Sequence, residues 1–292
     1  MKTLGIDLGG TRIKCGVVED GAVLRESACD TPPGGYPAVV ERMAAEAARL
    51  ARACGGVERV GLGAPGLIDT GAGVVRYSNN IGWNDAPVRA DLENALQKSV
   101  RIANDAQCAA LGEALHGAGK GCGRMAMLTI GTGVGGGFVR GGKLETDGYG
   151  SMAYIFGHSI IEYDGKLCNC GRRGCLETYA SASAVAKRGE RVFTHKKSVR
   201  EIFEAARGGD TLALDIVREF LDYLSAGVVN VANILRPQLI VIGGGVSGSC
   251  DLILPVVNAA LEKGVYGYQY APVRAVCAKL GNSAGLVGAA SL

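Results

Sequence analysis

Three cysteines and a histidine crowd into one short stretch. Gly157-His158 is followed by Cys168-Asn169-Cys170-Gly171-Arg172-Arg173-Gly174-Cys175-Leu176-Glu177, in a chain with only three histidines and ten cysteines. Glycines bend a Cys-x-Cys-Gly-x-x-Gly-Cys run tightly enough for its sulfurs to converge. Three thiolates and one imidazole make a closed tetrahedral set for structural Zn²⁺. His158 is the fourth ligand of choice, because His116 and His195 lie in segments without a comparable setting. The competing reading is a buried set of reduced thiols, which pack as small hydrophobes. Buried thiols need no glycine-flanked spacing, and Asn169, Arg172 and Arg173 mark an exposed knuckle.

A second chemistry is written in glycine. The chain has 46 glycines, clustered at Gly9-Gly10, Gly131 to Gly137, Gly141-Gly142 and Gly243 to Gly245. Glycine clusters that follow β-rich runs let the backbone approach a ligand closely, commonly a phosphate. Asp7-Leu8-Gly9-Gly10-Thr11 forms a turn between a strand at Thr3 to Asp7 and a returning strand at Ile13 to Val18. It presents main-chain N–H groups and the Thr11 hydroxyl; an ordinary Gly-Gly hairpin would look the same. Met127 to Ile130, Gly131-Thr132-Gly133-Val134-Gly135-Gly136-Gly137 and Phe138 to Arg140 repeat the order of strand, Gly-Thr turn and strand. Two copies of one unit imply two similar lobes whose glycine hairpins would hold one polyphosphate. No Gly-Lys-Ser/Thr follows either turn, so this is not a Walker A loop.

The third candidate is Asn104-Asp105, where the strand Val100 to Ala103 meets the helix Ala106 to Leu115. An acid there can cap the helix. It can equally serve as a general base at the carboxyl end of a strand, where α/β proteins place ligands, and the helix N-terminus favours the ionised carboxylate that a base requires.

The elements positioning these groups alternate between strand and helix, which makes the fold α/β. Pro37 to Cys54 and Pro87 to Lys98 read as helices, and Val57 to Leu62 as a strand running into Gly63-Ala64-Pro65-Gly66. After the knuckle come helices at Ser198 to Ala206 and from an Asp210 cap to about Leu235. A buried-type strand, Leu239 to Ile242, leads into Gly243-Gly244-Gly245. A helix near Asp251 to Lys263, a strand near Val273 to Ala278 and a helix at Ser283 to Leu292 close the chain.

Lys and Arg total 31 against 28 Asp and Glu, a net +3 that is too balanced for a nucleic-acid or membrane-surface protein. No apolar run approaches the roughly 18 residues of a membrane helix. No secretory leader is visible at Met1 to Ile6, so a cytoplasmic location is expected. The ten cysteines accordingly read as thiols and metal ligands rather than disulfides.

Taken together, these motifs resemble the ROK family of sugar kinases, repressors and open reading frames. Asp7 to Thr11 resembles its first phosphate motif, Leu128 to Gly137 its second and Ile240 to Gly245 its nucleotide-side turn. Gly61 to Gly66 and Asn104-Asp105-Ala106 resemble its sugar-side motifs, and His158 to Glu177 its zinc signature. The resemblance implies a two-lobed actin-like (ribonuclease-H-like) ATPase fold with a zinc knuckle. One lobe would hold 1–106 plus about 280–292, the other 107–279. It further implies transfer of the ATP γ-phosphate to a sugar hydroxyl, with Asp105 as base and Mg²⁺ neutralising the phosphates. Gly66, Asn79, Asn80, Asp105, His158 and Glu177 would hold the sugar. Asp7, Gly9, Gly10, Thr11, Gly131, Thr132, Gly133, Gly135, Gly243 and Gly244 would hold nucleotide and metal. His158, Cys168, Cys170 and Cys175 would hold Zn²⁺, and a homodimer or larger homo-oligomer is expected.

Ile155 departs from the pattern. The family commonly places a sugar-binding Glu three residues before the zinc-ligating His, and an apolar side chain cannot accept hydroxyl hydrogen bonds. N-acetylmannosamine kinases that resemble this chain also depart from Glu here. The exchange puts glucose specificity in doubt and suits an N-acetyl or otherwise substituted sugar. Two alternatives follow: a degenerate member that binds without turnover, which the retained Asp105 opposes, and a polyphosphate donor, for which no basic tract is visible. A repressor would carry a helix-turn-helix ahead of the first glycine hairpin, and here that hairpin begins at Thr3. Leu144 to Ile155 departs most from the family, and Tyr149 and Tyr154 within it have no assigned role.

Overall fold

The structure is a computed structural model that describes residues 1–146, 150 and 153–292. In chain order, the hairpin strands β1 (Lys2–Leu8) and β2 (Arg12–Glu19) lead to β3 (Ala22–Asp30), helix α1 (Gly35–Ala53) and β4 (Val60–Ala64). The short strands β5 (Leu67–Asp69), β6 (Val74–Ser78) and β7 (Trp83–Ala86) precede α2 (Val88–Leu96), β8 (Val100–Asn104) and α3 (Asp105–His116). Then come β9 (Arg124–Ile130), β10 (Val134–Arg140) and β11 (Lys143–Leu144). A single 3-10 turn at Phe156–His158 opens the knuckle. After it stand α4 (Glu177–Ala180), α5 (Ala182–Val192), α6 (Val199–Arg207) and α7 (Thr211–Leu235). The chain closes with β12 (Leu239–Gly243), a 3-10 turn at Gly245–Ser249, α8 (Cys250–Gly264), β13 (Arg274–Cys277) and α9 (Ala284–Ala290).

The repeat seen in the sequence recurs in the sheets. One runs β3-β2-β1-β4-β8 and another β11-β10-β9-β12-β13, the same topology twice. In the first, β2 is antiparallel to β1 and β3, while β4 is parallel to β1 and β8. In the second, β12 is parallel to both β9 and β13. Fully buried β4 and β12 are apolar without alternation, as strands covered on both faces must be. The fold is the α/β, actin-like class expected.

Contacts divide the chain into two compact units: Met1–Gly121, Gly137–Tyr154 and Asn282–Leu292 in the first, Cys122–Gly136 and Ile155–Gly281 in the second. Helix α3, which the sequence reading put in the second lobe, groups with the first. Its buried face of Cys108, Leu111, Gly112 and Ala114 packs on α9, so the break falls at Gly121 and not at 106. In the first unit α1 lays Val39, Met43, Ala47 and Leu50, spaced at the helical period, into the apolar core. In the second, α7 is capped by the Asp210 carboxylate, which accepts from the Ala213 amide at 2.9 Å. Phe220 on its buried face meets Phe203 of α6 edge-on at 5.7 Å.

The expectation of thiols without a disulfide is overturned. Cys250 and Cys277 form a disulfide, with Cα atoms 6.1 Å apart. Pairing of β12 with β13 sets Cys277 opposite Ile242, and the 3-10 turn after β12 brings Cys250 back to it. A sequence separation of 27 residues conceals the approach. Cys15, Cys29, Cys54, Cys108, Cys122, Cys168, Cys170 and Cys175 are free.

Candidate functional site

In the first unit, β1 delivers Asp7 to the start of the glycine turn. The Gly9 amide donates to Arg12 O at 2.8 Å and closes the turn, and the Thr31 hydroxyl donates to Gly9 O, also at 2.8 Å. Thr31 is a residue the sequence gave no reason to single out, since β3 shows no motif. Gly10 and Thr11 are exposed, and a Cβ on Gly10 would stand 3.3 Å from Asn80 O. The loop carrying exposed Asn79 and Asn80 therefore borders the Gly9–Thr11 turn. That loop joins β6 to β7 in a small sheet that short strands and interspersed polar residues hid from any periodicity argument.

The N-terminus of α3 is capped by the residue that precedes Asp105. Asn104 is the N-cap: its Oδ1 accepts from Ala106 N at 3.0 Å and Gln107 N at 3.3 Å, and its Nδ2 donates to Gly66 O at 3.1 Å. Asp105 is the first helical residue and takes a 2.9 Å bond from the Ala106 amide on Oδ1. Burial pushes its carboxyl up to about 6; the Ala106 amide offsets part of this, and the charge of Asp7 adds to it. Burial also raises Asp7, with Lys14 offsetting part. Two half-buried carboxylates, each of raised proton affinity, make a set that can hold a proton or sit beside a divalent cation.

In the second unit, the Gly131 amide donates to Gly133 O at 2.9 Å, and exposed Thr132 tips the turn. Gly135 follows in β10. Glu177, the first residue of α4, accepts from the Val134 amide on Oε2 at 2.9 Å. A Cβ on Gly133 would collide with that same carboxylate, so glycine is required for the approach. Gly243 ends β12, and Gly244 has φ 85°, a left-handed conformation that carries it against Ile130. The Gly243–Gly245 turn thus abuts the end of β9, beside the Gly131–Gly133 turn.

The knuckle brings its four side chains together. His158 Nδ1 lies 3.6 Å from Cys168 Sγ, Cys170 Sγ lies 3.6 Å from Cys175 Sγ, and all four donor atoms fall within 4.8 Å of one another. Sulfurs bound tetrahedrally at about 2.3 Å from zinc stand roughly 3.8 Å apart, so the set fits the metal. The Cys168 amide donates to Arg172 O at 2.8 Å, and the Leu176 amide to Ser159 O at 2.9 Å. Tyr179 stacks on Tyr223 at 4.2 Å and accepts the Lys166 amide at 2.7 Å. This scaffold fixes the register in which Glu177 follows Cys175. Ile155, just before the knuckle, is 42% exposed. Tyr149 lies outside the described residues, whereas Tyr154 sets its ring 5.6 Å from that of Phe138.

Comparison with known proteins shows similarity to sugar kinases along the whole chain. The chain is 35% identical to a glucokinase of Streptomyces coelicolor over 309 residues, spanning 99% of this chain and 96% of the relative. It is 32% identical to an N-acetyl-D-glucosamine kinase of Vibrio cholerae over 301 residues, spanning 99% of this chain and 98% of the relative. Among solved structures it resembles a ROK family glucokinase from Streptomyces griseus in complex with glucose and AMPPNP, with a TM-score of 0.87 at 35% identity. That match covers 100% of this chain and 98% of the other. No helix among the described residues is long and apolar enough to cross a membrane. The ROK family model matches residues 3–292, and the chain belongs to the ROK family.

Proposed function

We propose that the protein is an ATP-dependent sugar kinase that phosphorylates a hydroxyl, O6, of a hexose or N-acetylhexosamine. The observation that carries this reading is Asp105, a carboxylate relieved of sole capping duty by Asn104 and pushed up to about 6. It is ionised at neutral pH yet basic enough to accept a proton in the transition state. Asp105 takes the hydroxyl proton as the oxygen attacks the γ-phosphorus and the bond to the ADP oxygen breaks. The turns at Gly9 to Thr11, Gly131 to Gly135 and Gly243-Gly244 supply amides and hydroxyls for the phosphates, and Asp7 completes the acidic set for Mg²⁺. Bound Mg²⁺ supplies neutralisation of phosphate charge.

On the acceptor side, Gly66, Asn79, Asn80, Asp105, His158 and Glu177 bind the sugar. His158, Cys168, Cys170 and Cys175 would hold Zn²⁺, which would keep the knuckle rigid and so preorganise Glu177 and the second ring nitrogen of His158. Ile155 favours an acceptor bearing an apolar substituent such as an acetamido methyl over an unsubstituted hexose. The test is ADP release from ATP and Mg²⁺ across hexoses and N-acetylhexosamines, with Asp105→Asn beside the wild type. Turnover on one sugar, lost in the variant, is expected. Sugar binding by calorimetry without turnover on any sugar would instead identify a binding protein.

A further inference from the structure

Gln107 sits two residues beyond Asp105 on α3 and is only 2% exposed. Its Nε2 donates to the main-chain oxygen of Ala153 at 3.0 Å. Its Oε1 is buried and meets no donor among the described residues. Turning the amide over would set that oxygen against Ala153 O, acceptor facing acceptor, so the bond fixes its orientation. An apolar side chain of the same length would fill the space without stranding an acceptor. What glutamine adds at this position is the grip on Ala153.

The segment gripped is held elsewhere too. Gly150 stands against Thr70, where a Cβ would lie 2.5 Å from the Thr70 amide nitrogen. Tyr154 adopts φ 63°, in the left-handed region that non-glycine residues rarely occupy, with its ring against Phe138. Such a conformation persists only where its surroundings over-determine it. The next residue is Ile155, and the Phe156–His158 turn follows at once.

Resting on the kinase reading above, we propose that Gln107 is a positioning residue for acceptor choice. By holding Ala153 it sets the path on which Ile155 is presented to the sugar, and so ties sugar preference to the helix that begins with Asp105. The experiment compares Gln107→Leu and Gln107→Glu with wild type. It measures kcat and KM for N-acetylglucosamine, glucose and ATP, and deuterium uptake of the peptide spanning 150–157. Expected are a rise of about tenfold in acceptor KM, the effect of one lost hydrogen bond, and a several-fold change in the ratio of kcat/KM between the two sugars. ATP KM should stay within about twofold, and uptake should be faster. An unchanged sugar ratio with unchanged uptake in folded variants overturns the proposal. Gln107→Glu keeps the side-chain length should the leucine variant fail to fold. If the wild type turns over no sugar, the kinase reading fails by itself; the uptake arm still decides whether Gln107 holds the segment.

Discussion

Asparagine at position 105 would keep the size of the aspartate and an acceptor oxygen for the Ala106 amide, while removing the titrating group. Its carboxyl is raised from 3.8 to about 6 in the folded chain. At about 1.4 kcal/mol per pH unit the ionised form costs at most about 3 kcal/mol, and partial solvent access reduces this to about 1–3 kcal/mol. The sign follows from the raised value: stability is full below the unfolded pKa and is lost as pH rises through about 6. Asp105→Asn should therefore melt at the same temperature as wild type near pH 4 and higher from about pH 7 upward, by roughly 2–6 °C for a chain of this size. Its turnover should fall by about 10²–10⁴-fold, the usual worth of a general base. The assay is thermal unfolding by calorimetry across that pH range beside the kinetic panel. A variant that melts no higher than wild type above neutrality, or whose advantage is equally large at pH 4, would refute the assignment of a raised carboxyl here.

The same electrostatics predict that Asp7→Asn removes a neighbouring charge, so the acid limb of any residual pH–rate profile moves to lower pH; a limb that stays or rises contradicts this. Gly133→Ala would drive a Cβ into the Glu177 carboxylate and should reduce kcat/KM by about 10–100-fold with little loss of melting temperature, as misplacement of a binding group does. Stripping metal with a chelator should release one zinc per chain to a colorimetric dye and raise acceptor KM by about 10–100-fold, reversibly on adding zinc. Cys277→Ser opens a loop closed across 27 residues and should lower the unfolding free energy by about 3–4 kcal/mol under oxidising conditions. Reductant should erase that difference, and equal denaturant midpoints before reduction would count against the disulfide.

Local patterns made much of this molecule legible. The strand, Gly-Thr turn and strand at Asp7 and again at Gly131 are short-range signals, and they foretold the doubled sheet topology. The knuckle was readable because its Cys and His side chains sit close in sequence. What stayed hidden depends on approach in space. The disulfide joins residues that only the β12–β13 pairing brings together, and Gln107 reaches Ala153 across 46 positions. The β5–β7 sheet escapes because strands of three to five residues carry no measurable period. Asn104 was visible as part of a motif, but that it relieves Asp105 as the cap depends on side-chain torsions that no residue pattern specifies.

Glu177 is bonded through one oxygen to the Val134 amide, in the second of the turns proposed to hold the phosphates. If its other oxygen meets the sugar, the two ligands share a single side chain, and their binding is thermodynamically linked. Whatever factor the sugar applies to ATP affinity, ATP must apply to sugar affinity. An enzyme so wired binds its substrates synergistically. It also gives water, which cannot draw on Glu177 as a sugar does, a poorly aligned γ-phosphate, and so limits wasteful hydrolysis of ATP between encounters with its acceptor.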